Sequence, residues 1–92
     1  MYLCNAFSLQ MLGEFPANVR FEEIENLPQD LESAIGHADT ARVLGVPCNR
    51  VSVTLHKGDT CYIAQLVGGR LPEGCTTLPE GFKFKFLKAT IE

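Results

Sequence analysis

The sequence lacks the features that mark membrane and secreted proteins. No run of apolar residues approaches the roughly 18 that a bilayer-spanning helix needs. The first residues contain neither the basic segment nor the small-residue cleavage site of a signal peptide. Low-complexity segments and internal repeats are absent too, so a fibrous or solenoid architecture is not expected. These absences favour a cytoplasmic protein without a membrane partner.

Closely spaced cysteines are also missing. The chain has no C-x-x-C pair of the kind that holds zinc, because its cysteines are Cys4, Cys48, Cys61 and Cys75. A disulfide framework is not expected in a reducing compartment. Cys4 and Cys61 lie in apolar, strand-like runs, where a buried thiol behaves as a small hydrophobic side chain. We therefore predict structural cysteines, no metal site and no cofactor.

A basic excess is absent as well. Eight lysines and arginines face eleven aspartates and glutamates, which gives a formal net charge of −3. Because a basic face dominates affinity for nucleic acids, this charge argues against DNA as a partner. It leaves room for a small anionic ligand held in a local arginine pocket. The basic residues are spread along the chain, so folding would have to assemble such a pocket.

The length of 92 residues predicts one domain over residues 1–92. With 46% hydrophobic and 21% charged residues, the composition is globular rather than disordered. A domain this small buries only a little over ~60% of its unfolded surface, so its core needs a supplement. An isologous interface between two copies is the supplement we expect.

Apolar patterning predicts an α+β fold with about five strands and two short helices. Ser8 caps the first helix, which Gly13 and Pro16 end, and Gly45 ends the second. Residues 31–35 fit either a helical turn or an extended segment, and both readings stay open. Strands are predicted at residues 2–6, 19–24, 51–55, 60–65 and 82–91, and helices at residues 9–12 and 38–44.

Two of these strands carry further expectations. Residues 51–55 read Val-Ser-Val-Thr-Leu, and residues 56–59 form a hairpin turn before the returning strand at 60–65. His56, in that turn, is interpreted as structural or solvent-exposed. In the last strand, phenylalanines at 82, 84 and 86 share one face and Lys83 and Lys85 the other. Lysines in that arrangement suit a strand at the sheet edge.

Four blocks of sequence resemble one known family. They are Cys-Asn-Ala-Phe-Ser at residues 4–8, Ser-Ala-Ile-Gly-His-Ala-Asp-Thr-Ala at 33–41, Asn-Arg-Val at 49–51 and Gly-Arg-Leu-Pro-Glu-Gly at 69–74. In this order they are similar to the small ring nucleases of archaeal viruses, bacteriophages and some bacterial mobile elements. In viruses these proteins act as anti-CRISPR factors against type III systems, and cellular relatives also occur.

The resemblance implies a single ring-nuclease domain with a mixed five-stranded sheet, flanked by short helices and paired in a homodimer. Its ligand would be cyclic tetra-adenylate, bound across the two-fold axis. The implied reaction yields linear di-adenylate with 2′,3′-cyclic phosphate ends and uses no metal ion. By the same resemblance the catalytic residues are His37, Arg70 and Glu73, and the ligand-binding residues are Asn5, Ser8, Asp39, Thr40, Arg50 and Gln65.

These residue types suit the implied chemistry. RNA supplies its own nucleophile, the 2′-OH, so binding the ring in an in-line geometry removes much of the entropic cost of the reaction. His37 would protonate the departing 5′-oxygen, a task that suits imidazole, whose unperturbed pKa is about 6.5. Arg70 would stabilise charge on the phosphoryl oxygens, and Glu73 would orient Arg70. Gly36, before the histidine, would let a phosphate approach the backbone near the helix start.

Each feature also has a plainer interpretation. A histidine before a helix often only caps it, and Arg70 with Glu73 can form an ordinary salt bridge in a loop. Arg50 can be a solvated side chain at the entrance of a strand. At the level of function, the alternatives are a sponge that binds cyclic tetra-adenylate without cutting it, and a small dimeric interaction or regulatory protein of a mobile element.

Overall fold

One mixed sheet of five strands forms the centre of the computed structural model, which describes residues 1–13 and 17–92. The predicted α+β class and five-stranded sheet are confirmed. A 3-10 helix at Leu9–Met11 and helix α1 at Ala38–Leu44 complete the regular structure of the described residues. The strands are β1 at Tyr2–Cys4, β2 at Val19–Ile24, β3 at Glu32–Ser33, β4 at Thr60–Val67 and β5 at Lys83–Ile91.

The strand order is β2-β5-β4-β1-β3. β1 runs parallel to both of its neighbours, β3 and β4, whereas β5 is antiparallel to β4 and β2. Three neighbouring strands that run in one direction all end on one side of the sheet. We call that side the carboxyl edge: it is where β1, β3 and β4 end, after Cys4, Ser33 and Val67.

Each face of the sheet carries its own core. On the helix face, which α1 covers, the buried residues are Leu3, Ile35, Ala41, Tyr62 and Ala64. On the loop face, which residues 51–55 cover, they are Cys4, Val53, Leu55, Cys61 and Ile91. Consecutive strand residues such as Leu3 and Cys4 divide between the two cores because side chains alternate along a strand. The burial predicted for Cys4 and Cys61 is confirmed.

The two elements with the clearest end signals match their predicted bounds. Strand β2 covers residues 19–24, and α1 covers residues 38–44. Gly45 ends α1 in the left-handed conformation, with φ of 75°, and its N–H reaches the carbonyls of Ala41 and Arg42. Ser8 caps the 3-10 helix by accepting a hydrogen bond from the Gln10 N–H at 3.3 Å. Pro16, predicted to help end that helix, lies outside the described residues.

The strand predicted at residues 51–55 is wrong. Val53 and Leu55 are buried and Ser52 and Thr54 are exposed, so burial alternates over residues 52–55, whereas Val51 is exposed. The backbone, however, forms only an isolated bridge between Leu55 and Leu12. An extended segment laid over a core shows the same alternation as a strand because it too buries every second side chain.

The predicted hairpin at residues 56–59 fails with that strand. A turn is present, because the Asp59 N–H donates to the His56 carbonyl at 2.9 Å. The strand that follows, β4, pairs with β1 and β5 instead of returning along residues 51–55. The open question at residues 31–35 is settled in favour of the extended form, since β3 covers Glu32–Ser33.

The edge position predicted for the last strand is also wrong. β5 lies between β4 and β2, so it is an inner strand. Its pairing with β2 ends where Ile24 meets Phe86, and the preceding three residues pair with β4 only. The two faces are as predicted: Phe84 and Phe86 pack against the helix-face core, with rings stacked at 6.4 Å. Lys83 and Lys85 are exposed on the loop face.

Neither helix in the described part of the chain has the length and apolar character that a bilayer crossing requires.

Candidate functional site

His37 stands at the start of α1 with its ring folded over the first turn. Its Nδ1 accepts a hydrogen bond from the Thr40 backbone N–H at 3.3 Å and lies 3.2 Å from the Thr40 hydroxyl. His37 therefore caps α1, as the plainer interpretation predicts. A neutral ring that accepts at Nδ1 carries its proton on Nε2. The cap thus leaves Nε2–H as the ring's available donor, on a side chain that is exposed.

Thr40 suits both protonation states of the imidazole. Its side chain is nearly buried, with 7% of the residue exposed, so the hydroxyl is held in place. A hydroxyl can donate to Nδ1 of the neutral ring or accept from Nδ1–H of the charged ring. The contact at 3.2 Å therefore keeps a partner for Nδ1 before and after protonation.

The Asn49-Arg50 block packs along the segment that leads to His37. Arg50 Nε donates to the Gly36 carbonyl at 2.9 Å, and Asn49 Nδ2 donates to the Ser33 carbonyl at 3.1 Å. A side chain at Gly36 would meet Arg50 Cγ at 3.0 Å, so the glycine makes room for the arginine. The space expected to admit a phosphate is occupied by Arg50. The guanidinium, though, is exposed and directly beside the histidine's backbone.

Asp39, predicted to bind the ligand, forms an ion pair within α1. Its Oδ1 accepts from Arg42 Nη1 at 3.0 Å, one turn along the helix. The same Arg42 nitrogen lies 3.4 Å from the carbonyl of Cys75. Arg42 therefore ties α1 to the loop that carries Arg70 and Glu73. Sequence reasoning missed this residue, because its partner is 33 positions away along the chain.

Asn5 and Ser8 line a cavity on the loop face, close to the point where β1 ends. The cavity encloses about 340 Å³, and Ala34, Val51 and Ser52 form part of its wall. Val51 follows Arg50 directly and Ala34 lies two residues before Gly36. Two residues of the cavity wall are therefore close neighbours in the chain of Arg50 and Gly36, which lie beside His37.

Gln65 lines a second cavity of about 330 Å³ that shares Asn5 and Ala6 with the first. Phe7, Phe21, Ile63 and Leu87 complete its wall, and the rings of Phe7 and Phe21 meet edge-on at 5.3 Å. The two cavities form a groove, which runs along the loop face from Ser52 past Asn5 to Gln65. Gln65 and Asn5, both implied as ligand-binding residues by the resemblance, therefore line the same cavity.

Arg70 and Glu73 follow β4 in an exposed loop, while Leu71 between them is buried. Among the described residues, no hydrogen bond or ion pair joins Arg70 or Glu73 to His37, or to each other. The predicted loop salt bridge is therefore not formed. The tetrapeptide Leu-Pro-Glu-Gly occurs at residues 71–74 and again at 78–81. Each copy forms a turn: the Pro72 carbonyl accepts from the Cys75 N–H, and the Pro79 carbonyl accepts from the Phe82 N–H.

Fold and site together define a class of small α+β proteins, with a histidine-capped helix and a polar groove beside the carboxyl edge of a mixed sheet. The chain belongs to the STIV B116-like family, whose model matches residues 1–83.

Among solved structures the chain is similar to B116 of Sulfolobus turreted icosahedral virus, with 27% sequence identity and a TM-score of 0.77. The match covers 97% of both chains. No curated protein sequence matches this chain. The family and the fold are thus those of a small viral protein.

Proposed function

We propose that this protein is a metal-independent ring nuclease that cleaves cyclic tetra-adenylate into linear di-adenylate with 2′,3′-cyclic phosphate ends. Such an activity switches off type III CRISPR signalling, and it acts as an anti-CRISPR activity if the gene is viral. Membership in a family named after a viral protein supports that setting. The main support for the proposal is that the sequence blocks with Asn5, His37 and Arg70 all follow strands that end at the carboxyl edge.

Strand order explains this arrangement. Asn5 follows β1, His37 follows the segment that continues β3, and Arg70 follows β4. In the sheet these strands are the neighbours β4-β1-β3, with β1 in the middle. Ligands of sheets with parallel strands bind outside the carboxyl ends of the strands, where loops present side chains from a rigid support. Sequence blocks far apart in the chain thus share one region.

The geometry around His37 supports its proposed role as general acid. Nδ1 faces Thr40, so the exposed Nε2 is the nitrogen that can reach a departing 5′-oxygen. The proton it gives comes from the charged ring, whose Nδ1–H the Thr40 hydroxyl can accept in place of the bond from the Thr40 backbone N–H. The attacking 2′-OH belongs to the ligand itself, so the protein needs to bind the ring in line and stabilise the developing charge. As the 2′-oxygen bonds to phosphorus its proton passes to solvent water, the bond between phosphorus and the 5′-oxygen breaks, and His37 gives that oxygen a proton.

Two arginines supply positive charge beside the histidine. Arg50 is fixed at Gly36 through its Nε, which leaves its terminal nitrogens for a phosphate. Arg70 would stabilise the phosphoryl oxygens, with Glu73 as its orienting partner. Arg42 holds the loop that contains Arg70 and Glu73 to α1. A movement of this loop on ligand binding would bring Arg70 towards His37.

A homodimer is part of the proposal. A ring of four AMP units has two-fold symmetry and fits a pocket on a two-fold axis. Each subunit would present one His37 to opposite phosphates, so that two cuts release two identical products.

The test incubates purified protein with labelled cyclic tetra-adenylate in EDTA, beside His37→Ala and His56→Ala variants. His56, the chain's other histidine, lies in the turn next to the far end of β5, away from the carboxyl edge, and serves as the matched control. We expect di-adenylate from wild type and from His56→Ala, and a loss of about 10²- to 10⁴-fold in rate for His37→Ala.

Other results separate the alternatives. Binding without cleavage by the wild type would identify a sponge. Neither binding nor cleavage would reject the proposal and favour an interaction or regulatory protein. Cleavage that EDTA abolishes would contradict the metal-independent mechanism.

A further inference from the structure

Two exposed lysines of β5, Lys83 and Lys85, stand on the strand next to the one that bears Gln65. They line a separate cavity of about 630 Å³, which Glu23 and Glu25 also line. Lys85 is the direct cross-strand partner of Gln65, and Lys83 is the partner of Val67 on the next position of the same face. Directly opposite residues of an antiparallel pair have their Cβ atoms about 4.5–5.5 Å apart on one face of the sheet. Lys85 therefore stands beside Gln65 on the loop face, one strand further from Asn5.

The proposed ligand is anionic, and the Gln65 cavity has no cation in its own wall. Cyclic tetra-adenylate carries four phosphodiesters, each with one negative charge. The residues that line the Gln65 cavity are Asn5, Ala6, Phe7, Phe21, Ile63, Gln65 and Leu87, all of them uncharged. Arg50 is held at Gly36 and Arg70 belongs to the loop after β4, so neither lines this cavity. Lys85 does not line this cavity either, but the register places it directly opposite Gln65, one of the two polar residues in the cavity wall.

The present partner of Lys85 leaves it free to change contacts. Its Nζ lies 3.8 Å from Glu23 Oε2, and the two side chains are 43% and 67% exposed. Exposed pairs of this kind contribute little, because water screens the charges and long side chains lose entropy when they are held. An exchange of the carboxylate for a ligand phosphate therefore costs little.

We infer that Lys85 is a ligand-binding residue that contacts a phosphate of the bound ring, and that Glu23 competes for it. This inference rests on the proposed function. It assigns a binding role to a lysine whose pattern in the sequence suggests only protection of a sheet edge.

Lys88 provides the matched control. It lies on the same strand three residues further on, and its cross-strand partners Tyr62 and Glu22 place it on the helix face. A Lys88→Gln variant loses the same charge as Lys85→Gln but on the opposite side of the sheet. Comparing the two separates a local contact from a general effect of net charge.

The experiment measures the Kd of cyclic tetra-adenylate in a His37→Ala background, where the ring is not consumed, at several salt concentrations. Lys85→Gln is expected to weaken binding about 5-fold and to lower the slope of log Kd against log salt by about 0.7, as one lost phosphate contact predicts. Glu23→Gln is expected to tighten binding about 2-fold. Lys88→Gln should leave the Kd and the salt slope unchanged.

Thermal denaturation of each variant shows that the folded state is intact. If the parent protein binds no cyclic tetra-adenylate, the proposed function fails and this inference fails with it. If the parent binds but Lys85→Gln behaves like Lys88→Gln, the inference is overturned and the proposed function stands.

Discussion

At the scale of single residues, the cap on α1 gives His37 both an orientation and a tautomer. The Thr40 N–H and hydroxyl both meet Nδ1, so the ring is held from one side and Nε2 faces outward. A cap that used serine or aspartate would satisfy the same backbone N–H but would place no imidazole at the carboxyl edge. The cap and the chemical role proposed for His37 therefore depend on the same contact with Thr40.

Thr40→Val should lower the cleavage rate, and it should lower the Tm slightly because the hydroxyl also contacts His37 in the free protein. Valine keeps the shape and the backbone N–H of Thr40 but loses the hydroxyl that can accept from a protonated ring. A hydrogen bond of this kind is worth about 0.5–1.5 kcal/mol, which corresponds to a fall of roughly 2- to 10-fold in kcat. Thr40→Ser, which keeps the hydroxyl, should restore the rate in the same steady-state assay. Equal rates for both variants would show that the hydroxyl has no part in the reaction.

The four cysteines should react with iodoacetamide in the order of their exposure. Cys48 is exposed and Cys75 half-buried, whereas Cys4 and Cys61 are buried with their sulfurs 3.4 Å apart. The hydrogen bond with Cys4, together with burial, raises the pKa of Cys61, and the thiolate is the reactive form. Mass spectrometry should find Cys48 labelled first and Cys61 labelled only after unfolding. Early labelling of Cys61 would contradict the described core.

At the scale of elements, the ends of α1 are set by signals that the sequence displays. Gly45 takes a left-handed backbone conformation, and a side chain there would meet no atom within 4 Å. Gly45→Ala should therefore destabilise the fold by about 1–2 kcal/mol through conformation alone.

For a domain of this size, each kcal/mol lowers the Tm by about 4–8 °C, which a thermal melt measures. Gly45→Asn should lose less, because asparagine tolerates the left-handed region. A melt in which alanine and asparagine cost the same would point to a different end for α1.

Local signals predicted some elements and failed for others for identifiable reasons. The bounds of α1 could be predicted because Gly45 ends the helix, and the imperfect alternation at residues 19–24 was enough to place β2. Residues 51–55 have the alternating apolar pattern of a strand but do not pair as one. An alternating pattern reflects which side chains are buried and does not depend on backbone hydrogen bonds. β3 has only two residues and is extended because β1 lies beside it, which no local pattern records.

The candidate site was predictable only in its local parts. The sequence blocks identified His37, Arg50 and Asn5, since each stands in a short motif. Sheet register decides the remaining neighbours. It places Gln65 in one cavity wall with Asn5 and sets Lys85 opposite Gln65. Arg42 joins α1 to the Arg70 loop through a backbone carbonyl, which carries no sequence signature.

At the scale of the whole molecule, the proposed ligand has two-fold symmetry and would fit a two-fold protein. Light scattering coupled to size exclusion should give twice the mass of one chain at micromolar concentrations. We expect the dimer because a small core gains from an isologous interface and because each subunit offers one histidine to the ring. A strictly monomeric protein that still made two cuts per ring would overturn the two-fold pocket.

The central claim is that separate sequence blocks form one ligand site at the carboxyl edge. The most direct measurement maps backbone amide shifts by NMR during titration of the His37→Ala protein with cyclic tetra-adenylate. We expect the largest shifts at Asn5–Ser8, Gly36–Thr40 and Gly69–Gly74, with little change in the turn at His56–Asp59, which lies at the other end of the strands. Shifts confined to that turn, or no shifts at saturating ligand, would contradict the claim.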